Sequence, residues 1–372
     1  MSISTPLTIP SGTACTSQQI QFRDLLKKVG SGAHTSKNLS REEAAIATNM
    51  MLSEAASPVQ IGAFMIAQRI KRPTPTELAG MLDTYDALGP QLRPIESDYP
   101  VTVFCNPYDG RSRTAPINPL TAMIMAAADA PVVLHGSGRM PTKYGLPMIE
   151  VLEGLGLQWS KLMTLTQVES VLAKTGLGFV YQAIQFPQAE AMVAYRDQIG
   201  KRPTLATVEI MWSPYTGKCN LVSGYVHPPT EERTQKAFTE RGTQFFTTVK
   251  GLEGSCDIAR DRTAILGLNH LEAGELKTER LLLHPRDYGF DGSDPESMPL
   301  EQLLAAYQDA LNGKENEISH SAVWNSGFYL WRVGRIASIE EGFELAKELL
   351  YSGVVTKKLH DIQSIITDVE TA

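Results

Sequence analysis

The sequence predicts an α/β protein in two parts: a small all-helical domain, then a larger α/β domain with a central, mostly parallel sheet. Three observations predict it. Residues 20–92 carry successive helix-start signals and no convincing strand. Beyond Gly89 and Pro90, short β-branched runs alternate with helical ones, the signature of a parallel sheet flanked by helices. At 372 residues, with 42% hydrophobic residues, the chain holds enough apolar material for two cores.

Residues 1–19 read as a flexible arm, without the basic stretch followed by an apolar run that marks a secretory signal, so the cytoplasm is the expected compartment. The helical domain, 20–92, follows. Ser40 with Glu43, Ser57 with Gln60 and Thr74 with Glu77 each fit a capping box, and Pro58 and Pro75 stand at first helical positions, where no amide is needed. Ile61, Phe64 and Met65, then Leu78, Met81, Leu82 and Tyr85, recur three or four apart and form buried stripes.

The α/β domain is expected over 98–372. Val101–Cys105 and Pro131–His135 read as strands with a helix over 120–128 between them. A helix over 145–156, a strand over 178–184 and a helix over 189–199 come next, with 187–200 expected to pack back on the helical domain. Further strands are expected at 245–249 and 281–284, and helices near 300–311, 318–334 and 339–351.

Composition excludes several classes. No apolar run approaches the roughly 18 residues of a membrane helix. Cys15, Cys105, Cys219 and Cys256 lie far apart, without the spacing of a zinc site or a disulfide framework, and read as free thiols. A net charge of −7 weighs against wholesale wrapping of nucleic acid, although a local basic patch is compatible with it.

Ligands of open α/β sheets bind beyond the carboxyl ends of the strands, which directs attention to the loops after Cys105, His135, Ile184 and Val249. The first, Asn106 to Arg113, carries Asp109, Gly110, Arg111 and Arg113. The second, His135 to Gly145, combines Gly136, Gly138 and Gly145 with Arg139 and Lys143. Glycines let a phosphate approach backbone amides and the cations neutralise it, so Arg139 and Lys143 are expected to form an anion site.

His135, Gly136, Lys143 and Gly145, followed by a helix ending E-V-L-E-G-L-G at Gly156, resemble the anthranilate phosphoribosyltransferase family, whose corresponding loop reads H-G-N-R-x-x-S-S-K-x-G. Gln60 to Lys71 is similar to the family's second N-terminal helix. Phe186 and Pro187 with Arg196, Gly200 and Arg202 resemble its H-P…R…L-G-x-R-T segment, and the likeness runs from about residue 20 to 350. The resemblance implies phosphoribosyl pyrophosphate (PRPP) as substrate, contacted by Asp109, Gly110, His135, Gly136, Arg139, Lys143 and Gly145. It further implies Arg196 on an acceptor carboxylate, magnesium as cofactor held by Glu253 and Asp257, and a homodimer formed by the N-terminal helices.

The departures fall on the chemistry. Where the family has G-T-G-G-D, this chain has C-N-P-Y-D over Cys105 to Asp109; proline lacks an amide to offer and tyrosine adds bulk. The family's acidic D-G-x-D-E is met by Glu253 to Asp257, with Cys256 replacing a carboxylate that a hard cation would prefer. Phe186 stands where the family has His, and Glu209 where it has the glycine of a G-P-L-x-N-P run.

Two functions are therefore expected in competition. The first is a phosphoribosyltransferase acting on an aromatic nitrogen acceptor, as in tryptophan biosynthesis. The second is a catalytically divergent scaffold that binds nucleic acid or another polyanion in a basic cleft lined by Arg111, Arg113, Arg139, Lys143, Arg196, Lys201, Arg202 and Lys218.

Overall fold

A computed structural model of the chain describes residues 15–32 and 34–371. Helices α1 (Ser17–Gly30), α2 (Arg41–Leu52), α3 (Pro58–Lys71) and α4 (Pro75–Leu88) build the first domain. Each opens on a complete capping box, from Thr16, Ser40, Ser57 and Thr74 respectively, and Pro58 and Pro75 occupy the first turn as expected. The first helix starts at Ser17, inside the stretch expected to be an arm. The rest of that expectation, residues 1–14, lies outside the described residues.

The second domain is wound on one seven-stranded sheet ordered β3-β2-β1-β4-β5-β6-β7, comprising β1 (Val101–Cys105), β2 (Val132–Gly136), β3 (Leu177–Tyr181), β4 (Cys219–Gly224), β5 (Phe245–Val249), β6 (Ala264–Glu272) and β7 (Glu275–Leu283). The first five run parallel; β6 runs antiparallel to β5, and β7 antiparallel to β6. The central strands are buried along their whole length, which is why they read as continuous apolar runs. At the edge, β7 is bristling with Glu275, Lys277, Glu279 and Arg280, charges that discourage pairing with another chain.

Helices α5 (Asn118–Ala127), α6 (Met148–Gly154) and α7 (Leu165–Thr175) connect the early strands. After β3 the chain enters α8 (Gln182–Gln185), so the strand expected to reach residue 184 ends at Tyr181. It then runs through α9 (Pro187–Ile199) and α10 (Leu205–Glu209) into β4. Between β4 and β5 lies α11 (Pro228–Glu240). Helices α12 (Leu300–Leu311), α13 (Glu317–Arg332), α14 (Ile339–Tyr351) and α15 (Val354–Thr371) close the domain, with α13 buried against α5 and α14.

α9 packs on α2 and α3, and aromatic rings bridge the two domains. Phe186 meets Tyr85 of α4 at 5.3 Å and Trp212 at 5.6 Å between ring centroids, and Trp212 meets His135 at 5.4 Å. The residue that replaces the family's histidine is thus a fully buried packing element in this bridge. No helix among the described residues is long and apolar enough to cross a membrane.

Candidate functional site

Between β1 and β4 the winding of the sheet reverses, the topological switch point where loops part and leave a crevice. A cleft of about 250 Å³ opens there, between Tyr108 and Asp109 after β1 and Tyr225 to His227 after β4. Arg196 and Glu209 form its back wall and Arg202 its rim. Arg196 Nη1 donates to both Glu209 oxygens, at 2.9 and 3.2 Å, in a place where each residue is at most 4% exposed. Burial raises the Glu209 carboxyl above its ordinary range, partly offset by Arg196. Arg202 pairs with Asp109, so the cleft holds two guanidiniums against two carboxylates.

A second cavity lies beyond Tyr108, between the loops after β1 and β2, bounded by Pro107, Gly110, Gly136 and Pro147. Its volume is about 20 Å³, room for little more than one water. The loops touch because both glycines are small. A Cβ on Gly110 would come within 2.5 Å of the Gly145 backbone and one on Gly145 within 2.4 Å of Arg111, while Arg111 and Leu146 form a two-residue bridge. These glycines serve close packing of two loops, a use that spacing alone does not distinguish from a phosphate cradle.

Glu253 and Asp257, after β5, reach into this region but are bound by the chain's own cations. Glu253 accepts from the backbone amides of Ser112, Arg113 and Thr114, the shortest at 2.9 Å, and from Lys143 at 2.9 Å. Burial alone would raise its carboxyl; the Arg113 amide, Lys143 and Arg111 outweigh this and hold it far below the usual range. Arg111 stands between the two acids, 3.5 Å from Glu253 and 2.5 Å from Asp257. Asp257 also takes the Ile117 amide at the start of α5, the position an anion favours at a helix N-terminus, yet burial still raises its carboxyl. The thiol of Cys256 turns away, donating to the carbonyls of Cys105 and Val222 in the core. Among the described residues, no three His, Cys, Asp or Glu side chains are grouped to hold a metal.

The expected anion pair diverges. Lys143 turns to Glu253 and the Gly110 carbonyl, whereas the exposed Arg139 forms a two-pronged pair with Glu150 at 2.7 Å. His135, expected to touch substrate, is wholly buried in β2 and lines neither cavity; its Nδ1 meets the Tyr108 hydroxyl, and burial lowers the ring to about 3, so it is neutral. It positions Tyr108 from behind. Nor do the eight basic residues form one groove: Arg111 and Arg196 are buried in ion pairs, Arg139 and Lys143 are paired to Glu150 and Glu253, and Arg202 to Asp109. Arg113, Lys201 and Lys218 are exposed.

Tyr225, Thr207 and His227 also line the cleft and were not among the expected site residues; two of them follow the carboxyl end of β4, a strand that carries no continuous apolar run. His227, followed by two prolines that open α11, was the available signal.

Family models match both parts of the chain: a glycosyl transferase family helical bundle domain over residues 23–89 and a glycosyl transferase family a/b domain over 110–356. The anthranilate phosphoribosyltransferase of Acetivibrio thermocellus is 27% identical over 340 residues, spanning 91% of this chain and 95% of its own. That of Afipia carboxidovorans is 27% identical over 348 residues, spanning 92% and 98%. Among solved structures, the anthranilate phosphoribosyltransferase of Saccharomyces cerevisiae in complex with PRPP and Mg superposes with a TM-score of 0.78 at 14% identity, covering 94% of this chain and 99% of that one. The Thermus thermophilus enzyme gives 0.71 at 19% identity, covering 92% and 99%.

Proposed function

The chain belongs to the glycosyl transferase family that joins a helical bundle to an a/b domain, and on that footing we propose that it is a cytoplasmic phosphoribosyltransferase-type protein. It moves 5-phosphoribosyl from PRPP to an aromatic nitrogen acceptor, in tryptophan biosynthesis or chemistry related to it. The curated relatives and the PRPP-bound yeast neighbour support this reading. What carries it is the charged cleft at the switch point of the sheet, large enough for a single aromatic ring beside Asp109 and Arg202.

In this reaction the acceptor nitrogen forms a bond to the ribose C1 while the bond from C1 to the diphosphate oxygen breaks, and the diphosphate carries away the electron pair. No nucleophilic side chain is required, so the protein acts by placing both partners and stabilising the departing charge. To the departing diphosphate we assign Lys143 and Arg113, on the loops after β2 and β1, and Arg202 at the cleft.

The yeast neighbour is in complex with magnesium as well as PRPP. Here Glu253 and Asp257 do not fit a metal as they stand, because Arg111 fills the gap between them and Lys143 takes the outer face of Glu253. PRPP is also larger than the 20 Å³ cavity, so its entry requires Pro107 to Arg113 to part from Gly145 to Pro147. That small cavity favours a second reading, in which the cleft binds an aromatic ligand without transfer. We further propose that the apolar face of α1 and α3 pairs with a second copy of the chain.

Thermal denaturation with PRPP, with and without magnesium, tests the first reading. PRPP at a hundredfold excess over its dissociation constant should stabilise the fold by about 2.7 kcal/mol, a rise of a few degrees, and an aromatic amine should then release diphosphate visible by phosphorus NMR. No rise at millimolar PRPP, together with no diphosphate, would leave the second reading standing.

A further inference from the structure

The structure assigns to Glu209 the choice of acceptor: we propose that the cleft takes an uncharged aromatic carboxamide or lactam and rejects an aromatic carboxylate. This inference rests on the reading of the cleft as an acceptor site, and the buried groups of the back wall carry it. Arg196 is the natural partner for a ligand carboxylate, being a planar donor fork almost wholly withdrawn from water. Glu209 already takes it, with both oxygens within 3.2 Å of Nη1. Arg202, the other guanidinium, is taken by Asp109. A carboxylate entering the cleft would find each cation neutralised and would lie close to two carboxylates, a like-charge approach that disfavours it.

What the wall still offers is a mixed pattern. Nε and Nη2 of Arg196 are buried donors without partners among the described residues, and Asp109 Oδ1 is a buried acceptor without one. Both residues line the cleft. A carbonyl oxygen facing Arg196 and an N–H facing Asp109 would satisfy both without adding charge, and a carboxamide or a ring lactam presents that pair side by side. A carboxylate supplies acceptors only. It would leave Asp109 facing a like charge.

Anthranilate and its neutral isostere 2-aminobenzamide make the comparison cleanly, since they differ in one group. Equilibrium binding of each, followed by calorimetry on the full chain without PRPP, isolates recognition from transfer. The wild type should prefer the amide by at least about tenfold, and Glu209→Gln, which removes the internal carboxylate, should invert the preference. Glu209→Asp, which keeps the charge, should retain it, and a melting curve for each variant establishes that it is folded. Equal or tighter binding of anthranilate by the wild type would overturn the proposal, as would the same order of preference in Glu209→Gln or failure of the wild type to bind the amide at millimolar concentration. A preference for the amide with no diphosphate release on adding PRPP would uphold the inference while removing the transferase reading.

Discussion

Lys143 Nζ lies 2.9 Å from Glu253 and 3.2 Å from the Gly110 carbonyl, so one ammonium ties the loop after β2 to those after β1 and β5. The two ends of that tie are unequal. Glu253 keeps its backbone amide donors if Lys143 is lost, whereas removing the Glu253 charge takes the carboxylate from Lys143 and leaves the buried Arg111 with Asp257 as its one acidic partner. Lys143→Ala should therefore cost about 1.5–3 kcal/mol, the range for hydrogen bonds to charged groups. Glu253→Gln should cost about 3–5 kcal/mol, the range for breaking a buried ion pair. Urea denaturation of the two variants measures the difference, and equal costs would show that the amide nest contributes nothing.

Acid should weaken the fold in two windows. The folded-state value of His135 is lowered to about 3, so its contribution is complete above its unfolded value of about 6.5 and is lost as pH falls from there. The slope is about 1.4 kcal/mol per pH unit for one proton. Glu253, also lowered, contributes fully above about 4.3 and loses that contribution below it. Asp294, raised to about 6, acts in the opposite sense: its stabilisation is present at low pH and lost as pH rises through 6. The difference between wild type and His135→Asn removes that offset. It should shrink steadily from pH 6.5 to pH 4.5 in denaturation curves, and a constant difference would mean that the ring is not held neutral.

Arg111 stands where a cation is wanted, between Glu253 and Asp257, and its replacement by an uncharged side chain should leave those acids repelling each other. Arg111→Met is expected to lose about 3–5 kcal/mol. A divalent ion can replace the missing charge, so millimolar manganese should restore part of the melting temperature of the variant and leave the wild type unchanged. Equal response of both proteins would show that the metal binds elsewhere.

Local signals were legible in the sequence and long-range pairings were not. The four capping boxes of the helical domain involve residues three apart, and three of them were readable from spacing alone; β1 and β5 fall where their β-branched and aromatic runs place them. β4 escaped because Asn220 and Ser223 interrupt its apolar run; both are buried, Asn220 Oδ1 accepting from the Thr247 hydroxyl at 2.9 Å and Ser223 donating to the Ile210 carbonyl at 2.6 Å. The cleft suffered most from this. Its residue types were visible, and Glu209 was noticed as a departure, but that it neutralises Arg196 depends on how α9 and α10 fold against each other. Likewise Arg111 meets Asp257 across 146 positions of sequence, a distance no motif spans.

Ile70 is 73% exposed at the end of α3 and borders an apolar groove of about 800 Å³ formed with Val29, Ile66, Ala67 and Ile199. A domain of four short helices has little interior of its own, and an apolar face of this kind is commonly covered by a second subunit placed around a two-fold axis. A carboxylate introduced beside such a groove would be buried unpaired in both subunits at once, so symmetry doubles its effect. Ile70→Glu should therefore convert a dimer into a monomer in light scattering at micromolar protein. Its effect on the monomer fold should be small, because the side chain points into water when no partner is present. A wild type that already scatters as a monomer would remove the dimer, and a dimer that survives Ile70→Glu would move the interface to another face.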